Sequence, residues 1–183
     1  MSKSSKIIAV LSVFFLIFSI ILSISIYKKK EISGRMWFDC QQEYIGNIQE
    51  TAKQLDTITS LYLNGNINSE DYYNHLCIIK TEYNILHASY EENSIKYPVK
   101  VGSYDFYTKS GCESVAASMN IMSNLIDSCI NSREDKDKLI YTYLAYSQEL
   151  SKEFAGYTTA YAVIYYEDIT ASNTDAESEV TDE

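Results

Sequence analysis

The sequence predicts an all-α protein: a single N-terminal transmembrane helix, an antiparallel up-down-up-down four-helix bundle, and a disordered acidic C-terminal tail. Three observations carry that expectation. An uncharged apolar run fills residues 7–27, and apolar side chains recur at threes and fours along most of the remainder. The 183 residues include only 6 Gly and 1 Pro, too few breakers for the turns of an all-β fold. The expected divisions are a basic flank at 1–6, the span at 7–27, a basic juxtamembrane linker at 28–34, the bundle at 35–168 and the tail at 169–183.

Twenty-one residues at about 1.5 Å each give roughly 31 Å of helix, the thickness of a bilayer's hydrocarbon core. The serines inside the run can return their hydroxyls to the helix backbone, while Tyr27 with Lys28, Lys29 and Lys30 suits an interfacial anchor. The run is long for a cleaved signal peptide, and its best small-residue site, Ser23-Ile24-Ser25, is weak, so it is expected to stay on the chain. The basic residues on its two sides slightly favour a cytoplasmic bundle. The signal-like position of the run and four cysteines without a CxxC pair point the other way, to a single-pass cell-membrane protein with its bulk outside the cytoplasm.

Four stripes follow. Trp37, Cys40, Tyr44, Ile48, Leu55, Ile58 and Tyr62 mark the first helix, which Asn64-Gly65-Asn66 ends. Asn68 caps the second, with Tyr72, Leu76, Ile79, Tyr83, Leu86 and Tyr90 as its inner face. Residues 95–109 break the pattern at Pro98 and Gly102 and allow a short β-bridge. Ser110 and Glu113 form a capping-box pattern for the third helix, whose stripe is Cys112, Val115, Met119, Met122, Ile126 and Cys129. Asp135 caps the fourth, which carries Ile140, Tyr143, Ser147, Leu150, Phe154, Tyr157, Tyr161 and Ile164, with Gly156 as its soft point. Short connections make neighbouring helices antiparallel.

The bundle constrains the cysteines. Folding the second helix back at residue 65 sets Cys77 about 14 residues, roughly 21 Å, below the level of Cys40, too far for a bond. Cys112 and Cys129 lie at opposite ends of one helix. The expected disulfides are therefore Cys40–Cys112 and Cys77–Cys129.

Composition narrows the partners. Five of the 15 basic residues flank the apolar run, leaving 10 against all 25 acids from residue 31 onward. Such a surface repels phosphate, which argues against nucleic acid and against a second, peripheral membrane contact. His75 and His87, twelve residues apart on one helix, point about 120° apart and cannot clamp a metal together. No hydrolase, nucleotide or zinc motif is present, so neither catalysis, a cofactor nor a metal is expected.

The expected partners are membrane lipid through residues 7–27 and a protein, or a second copy of the chain. Among the 17 tyrosines, those off the inner stripes offer large amphipathic area at low entropic cost. Tyr97, Tyr104, Phe106, Tyr107, Tyr165 and Tyr166 form the candidate contact patch. The expected function is a disulfide-braced, non-catalytic interaction or structural module. A solute- or peptide-binding bundle with an aromatic-lined site, a cytoplasmic membrane-tethered scaffold and an enzyme with convergent acids are the alternatives.

Overall fold

A computed structural model describes residues 32–179, with side chains through Tyr166. The apolar run at 7–27, the lysines that follow it and the last four residues lie outside this range. The described residues form four helices packed as a bundle: α1 (Gly34–Leu63), α2 (Ser69–Lys96), α3 (Phe106–Ser132) and α4 (Lys136–Glu179). Among the described residues, no helix is long and apolar enough to cross a membrane. The expected tail over 169–183 is described only as far as the helical backbone of α4 reaches, to Glu179.

The helix ends follow from local chemistry. Ser33, with extended backbone, accepts a hydrogen bond from the Met36 amide and starts α1. At the other end, the Asn66 amide donates to the Leu61 carbonyl and the Gly65 amide to that of Tyr62, a Schellman closure. It works because Gly65 adopts φ +76° without a side-chain penalty. Asn68 and Asp135 cap α2 and α4 as expected, accepting from the amides of Asp71 and Lys138. α3 corrects the sequence reading: its cap is Asp105, not Ser110. The Asp105 carboxylate takes both the Thr108 amide and the Thr108 hydroxyl, two bonds that the Ser110 pattern does not match, and draws Phe106 and Tyr107 into the first helical turn.

Neighbours run in opposite directions. The start of α2 meets the end of α1 through Tyr72 and Thr59, whose hydroxyls are 3.0 Å apart, and the end of α2 meets the start of α1 where Asn93 donates to the Tyr44 hydroxyl at 2.6 Å. Tyr83 donates to the Met119 carbonyl at 2.6 Å and fastens α2 to α3. A short backbone bridge joins Ile32 and Val99 in parallel, so the 95–109 connection does form a bridge, but with the residue leading into α1 rather than within itself.

Side-chain size sets the spacing of α4 against its two neighbours. Small residues line its contact with α3: a Cβ on Gly156 would lie 2.7 Å from the Ser114 hydroxyl, and one on Gly111 would lie 3.1 Å from the Ala160 methyl. Gly156 is thus a close-packing position rather than a soft point. Rings fill the space between α1 and α4, where Phe38 stacks on Tyr157 with centroids 5.2 Å apart. Two stripes differ from expectation by one residue's rotation. Leu139 is buried where Ile140 was expected, and in α1 Phe38, Gln41 and Ile45 turn inward while Cys40 is exposed.

That rotation bears on the cysteines. All four are free thiols, so neither Cys40–Cys112 nor Cys77–Cys129 is formed. Cys40 faces solvent on the outside of α1, whereas Cys112 is buried within α3. Cys77 is half-buried beside Tyr73, while Cys129 is buried against Tyr72. Matching heights along the bundle did not ensure matching faces, and a disulfide needs both.

Candidate functional site

The six candidate patch residues lie at one end of the bundle, where α1 and α3 begin and α2 ends. Arg35, in the first turn of α1, lies with its guanidinium 5.0 Å from the centre of the Tyr165 ring, which fixes α4 at the same level. The α2–α3 connection is held to the start of α1 by its backbone. Ile32 donates to the Pro98 carbonyl at 3.1 Å, Lys100 donates to the Ile32 carbonyl at 2.8 Å, and the Gly34 amide donates to the Ser103 hydroxyl at 2.8 Å. Gly34 is required here: a Cβ would stand 2.7 Å from the Tyr104 ring and 2.9 Å from the Ser103 carbonyl.

The six residues divide into two sets of three. Tyr97, Tyr104 and Tyr165 are half-buried and pack against the core. Tyr104 bonds to the Cys112 thiol, and burial pushes its phenol up to about 12. Burial also raises the Cys112 thiol to about 12, partly offset by the Tyr104 hydrogen bond. Tyr165 lies 4.2 Å from Tyr161, centre to centre. Phe106, Tyr107 and Tyr166 face outward, the Phe106 side 78% exposed and its ring edge-on to Tyr107 at 5.3 Å.

Sequence reasoning missed three exposed apolar neighbours. Met36 and Ile95 lie on the outer faces of α1 and α2, and Val101 sits at the tip of the connection, 98% exposed. The signal for Val101 was an apolar residue next to Gly102, which turns the chain with φ +76°. Lys96, Lys100 and Lys109 stand among these residues in the chain. Of the acids nearby, Asp39 pairs with Arg35 at 3.2 Å, Glu113 with Lys109 at 3.8 Å, and Asp105 is spent on the α3 cap. The Thr108 hydroxyl and amide hold the Asp105 carboxyl below its ordinary range.

The other features are shallow grooves. One of about 410 Å³ runs between α1 and α2, lined by Asn47, Thr51, Gln54, Glu82, Ile85 and Leu86. A second of about 300 Å³, beside Gln42, Ile45 and Gly46 of α1, is floored by Tyr157 and Tyr161. Among the described residues, no three His, Cys, Asp or Glu side chains gather as a metal site. His87 lies 3.6 Å from Glu91 on the same helix face, and His75 lines a groove beside Ile78 and Glu82.

No protein-family model, curated protein or solved structure matches this chain.

Proposed function

We propose that this chain is a membrane-anchored, non-catalytic interaction or structural module, with residues 7–27 as a retained single span and the up-down-up-down bundle held outside the cytoplasm. One observation carries the reading. Exposed apolar and aromatic residues gather at the end of the bundle from which the chain leads back from Ile32, through four residues, to the uncharged run. The core beside them is closed by well-packed side chains and the grooves are shallow, which supports a surface that binds over one that encloses a substrate. The partner is a protein or a second copy of the chain. The α1–α2 groove, with Ile78 and Ile85 exposed on α2, is the face available for it.

A second reading, a cytoplasmic scaffold tethered to the membrane, is favoured by two observations: the free thiols, and Lys28, Lys29 and Lys30 after the apolar run. Exposed Cys40 separates the two. On intact cells, an impermeant maleimide is expected to block Cys40 without lysis, and the protein is expected to stay in the membrane pellet after alkaline carbonate washing. Protection of Cys40 until lysis would establish the cytoplasmic reading, and release by carbonate would remove the anchor.

A further inference from the structure

The end of the bundle from which the chain leads back to the apolar run combines exposed apolar side chains with three lysines within fourteen residues. Ile95 is 62% exposed, Val101 98% and Phe106 78%. Lys96, Lys100 and Lys109 are interleaved with them in the chain, and Lys28, Lys29 and Lys30 precede the described residues. The overall acidity of the domain, which argued against a peripheral lipid contact, is an average. Of the acids at this end, Asp105 is held in the α3 cap, Asp39 pairs with Arg35 and Glu91 lies beside His87, while Glu113 takes up Lys109 and Glu92 faces solvent.

Distance makes this end different from every other surface of the molecule. Four residues, five backbone steps, separate Tyr27 from Ile32, and a fully extended chain of that length spans at most about 17 Å. The start of the bundle at Ile32 is therefore held within about 17 Å of the end of the run, about twice the screening length of physiological salt. Tethering at that distance makes even a weak interfacial affinity effective, because seating becomes an intramolecular step.

We propose that Ile95, Val101, Phe106 and Tyr107, flanked by Lys96 and Lys100, seat in the interfacial layer of the same bilayer that residues 7–27 span. The inference rests on the anchoring reading. Rings and branched apolar side chains enter the headgroup and acyl boundary while the lysines meet lipid phosphate, the pairing that holds amphipathic segments at membrane surfaces. The bundle then leans on its α2–α3 connection. α2 packs on α1 and α3, whereas α4 packs chiefly on α3.

The test uses the full chain in vesicles containing anionic lipid brominated in the upper acyl chain, with tryptophan fluorescence as the readout. Phe106→Trp and, separately, Val101→Trp place a reporter in the surface, both at exposed positions that a ring can occupy without repacking. Asn66→Trp at the opposite turn, a helix length of about 45 Å away, is the control, and buried Trp37 gives the baseline in the parent chain. Co-flotation with the vesicles is scored in each sample. The expected result is co-flotation of all variants, with brominated lipid quenching the added emission at 106 and 101 about twofold and that at 66 not at all. Quenching should also weaken when anionic lipid is replaced by zwitterionic lipid. Co-flotation without quenching at either position overturns the inference while leaving the anchor intact, and assigns the surface to a protein partner. Failure to float overturns the anchoring reading and the inference with it.

Discussion

α2 and α3 are nearly equal in length, 28 and 27 residues, yet four residues of α2 are buried against twelve of α3. α3 lies between the other helices and is covered by α1, α2 and α4, so its inner face widens to take in Gly111, Ser114 and Ser118 as well as the large side chains. α2 fully buries only one narrow line, Tyr72, Leu76, Ile79 and Tyr83, and past Tyr83 it packs on the core with the half-buried Leu86 and Tyr90. Two of those four are tyrosines that bring a hydroxyl into the core and must satisfy it there, Tyr72 with Thr59 and Tyr83 with Met119. An interior helix specifies the fold by volume. A peripheral one specifies its register through a few hydrogen-bonded rings and leaves the rest of its surface for other contacts.

Substitutions can break or sharpen that contrast. Ile126→Ala in α3, 1% exposed, is expected to cost about 3–4 kcal/mol in chemical unfolding, since transfer and cavity terms both apply. Ile85→Ala in α2, 68% exposed, is expected to stay within about 0.5 kcal/mol, and a comparable loss at both sites would remove the distinction between the helices. Gly111→Ala should cost about 2 kcal/mol net. Its Cβ would stand 2.3 Å from the Phe38 ring, and the strain outweighs the roughly 1 kcal/mol that alanine gains in a helix. Tyr83→Phe removes the bond to the Met119 carbonyl and is expected to lower stability by about 1 kcal/mol.

The smallest effect is alkaline. Burial raises the Cys112 and Cys129 thiols from 9.0 to about 12. Above pH 9 the unfolded chain has lost protons that the folded chain keeps, so stability falls as pH rises. The loss begins near 9 and continues to about 12, and the contribution is complete below 9. Cys129→Ala should flatten the decline in unfolding midpoint over that window. Within the folded protein, maleimide should modify exposed Cys40 well before Cys112 or Cys129.

The four helices, their turns and two of their four caps are legible in the chain. Apolar spacing, Asn64-Gly65-Asn66, Asn68 and Asp135 act within a few residues of themselves, whereas the cap at Ser33 was not read. The cap at Asp105 was readable in principle, through its two bonds to Thr108, but the capping-box pattern five residues later competed with it. The end of the bundle where the patch lies followed from topology, since 97–107 and 165–166 come to the same level in any antiparallel arrangement. Which of the six residues face outward did not follow.

Tertiary structure alone decided the rotation of each helix about its axis. A stripe of threes and fours is wide enough to accept neighbours on either side, so Phe38 could displace Cys40 inward and Leu139 could displace Ile140 without disturbing the periodicity. That choice depends on what the facing helix presents. Gly111 and Gly156 allow α3 and α4 to approach, while the rings of Phe38 and Tyr157 hold α1 and α4 apart. The cysteine pairing derived from height along the bundle failed for the same reason. Local sequence determines where a helix starts and stops and how far along it a residue lies, whereas the direction a side chain faces is settled only when all four helices pack together.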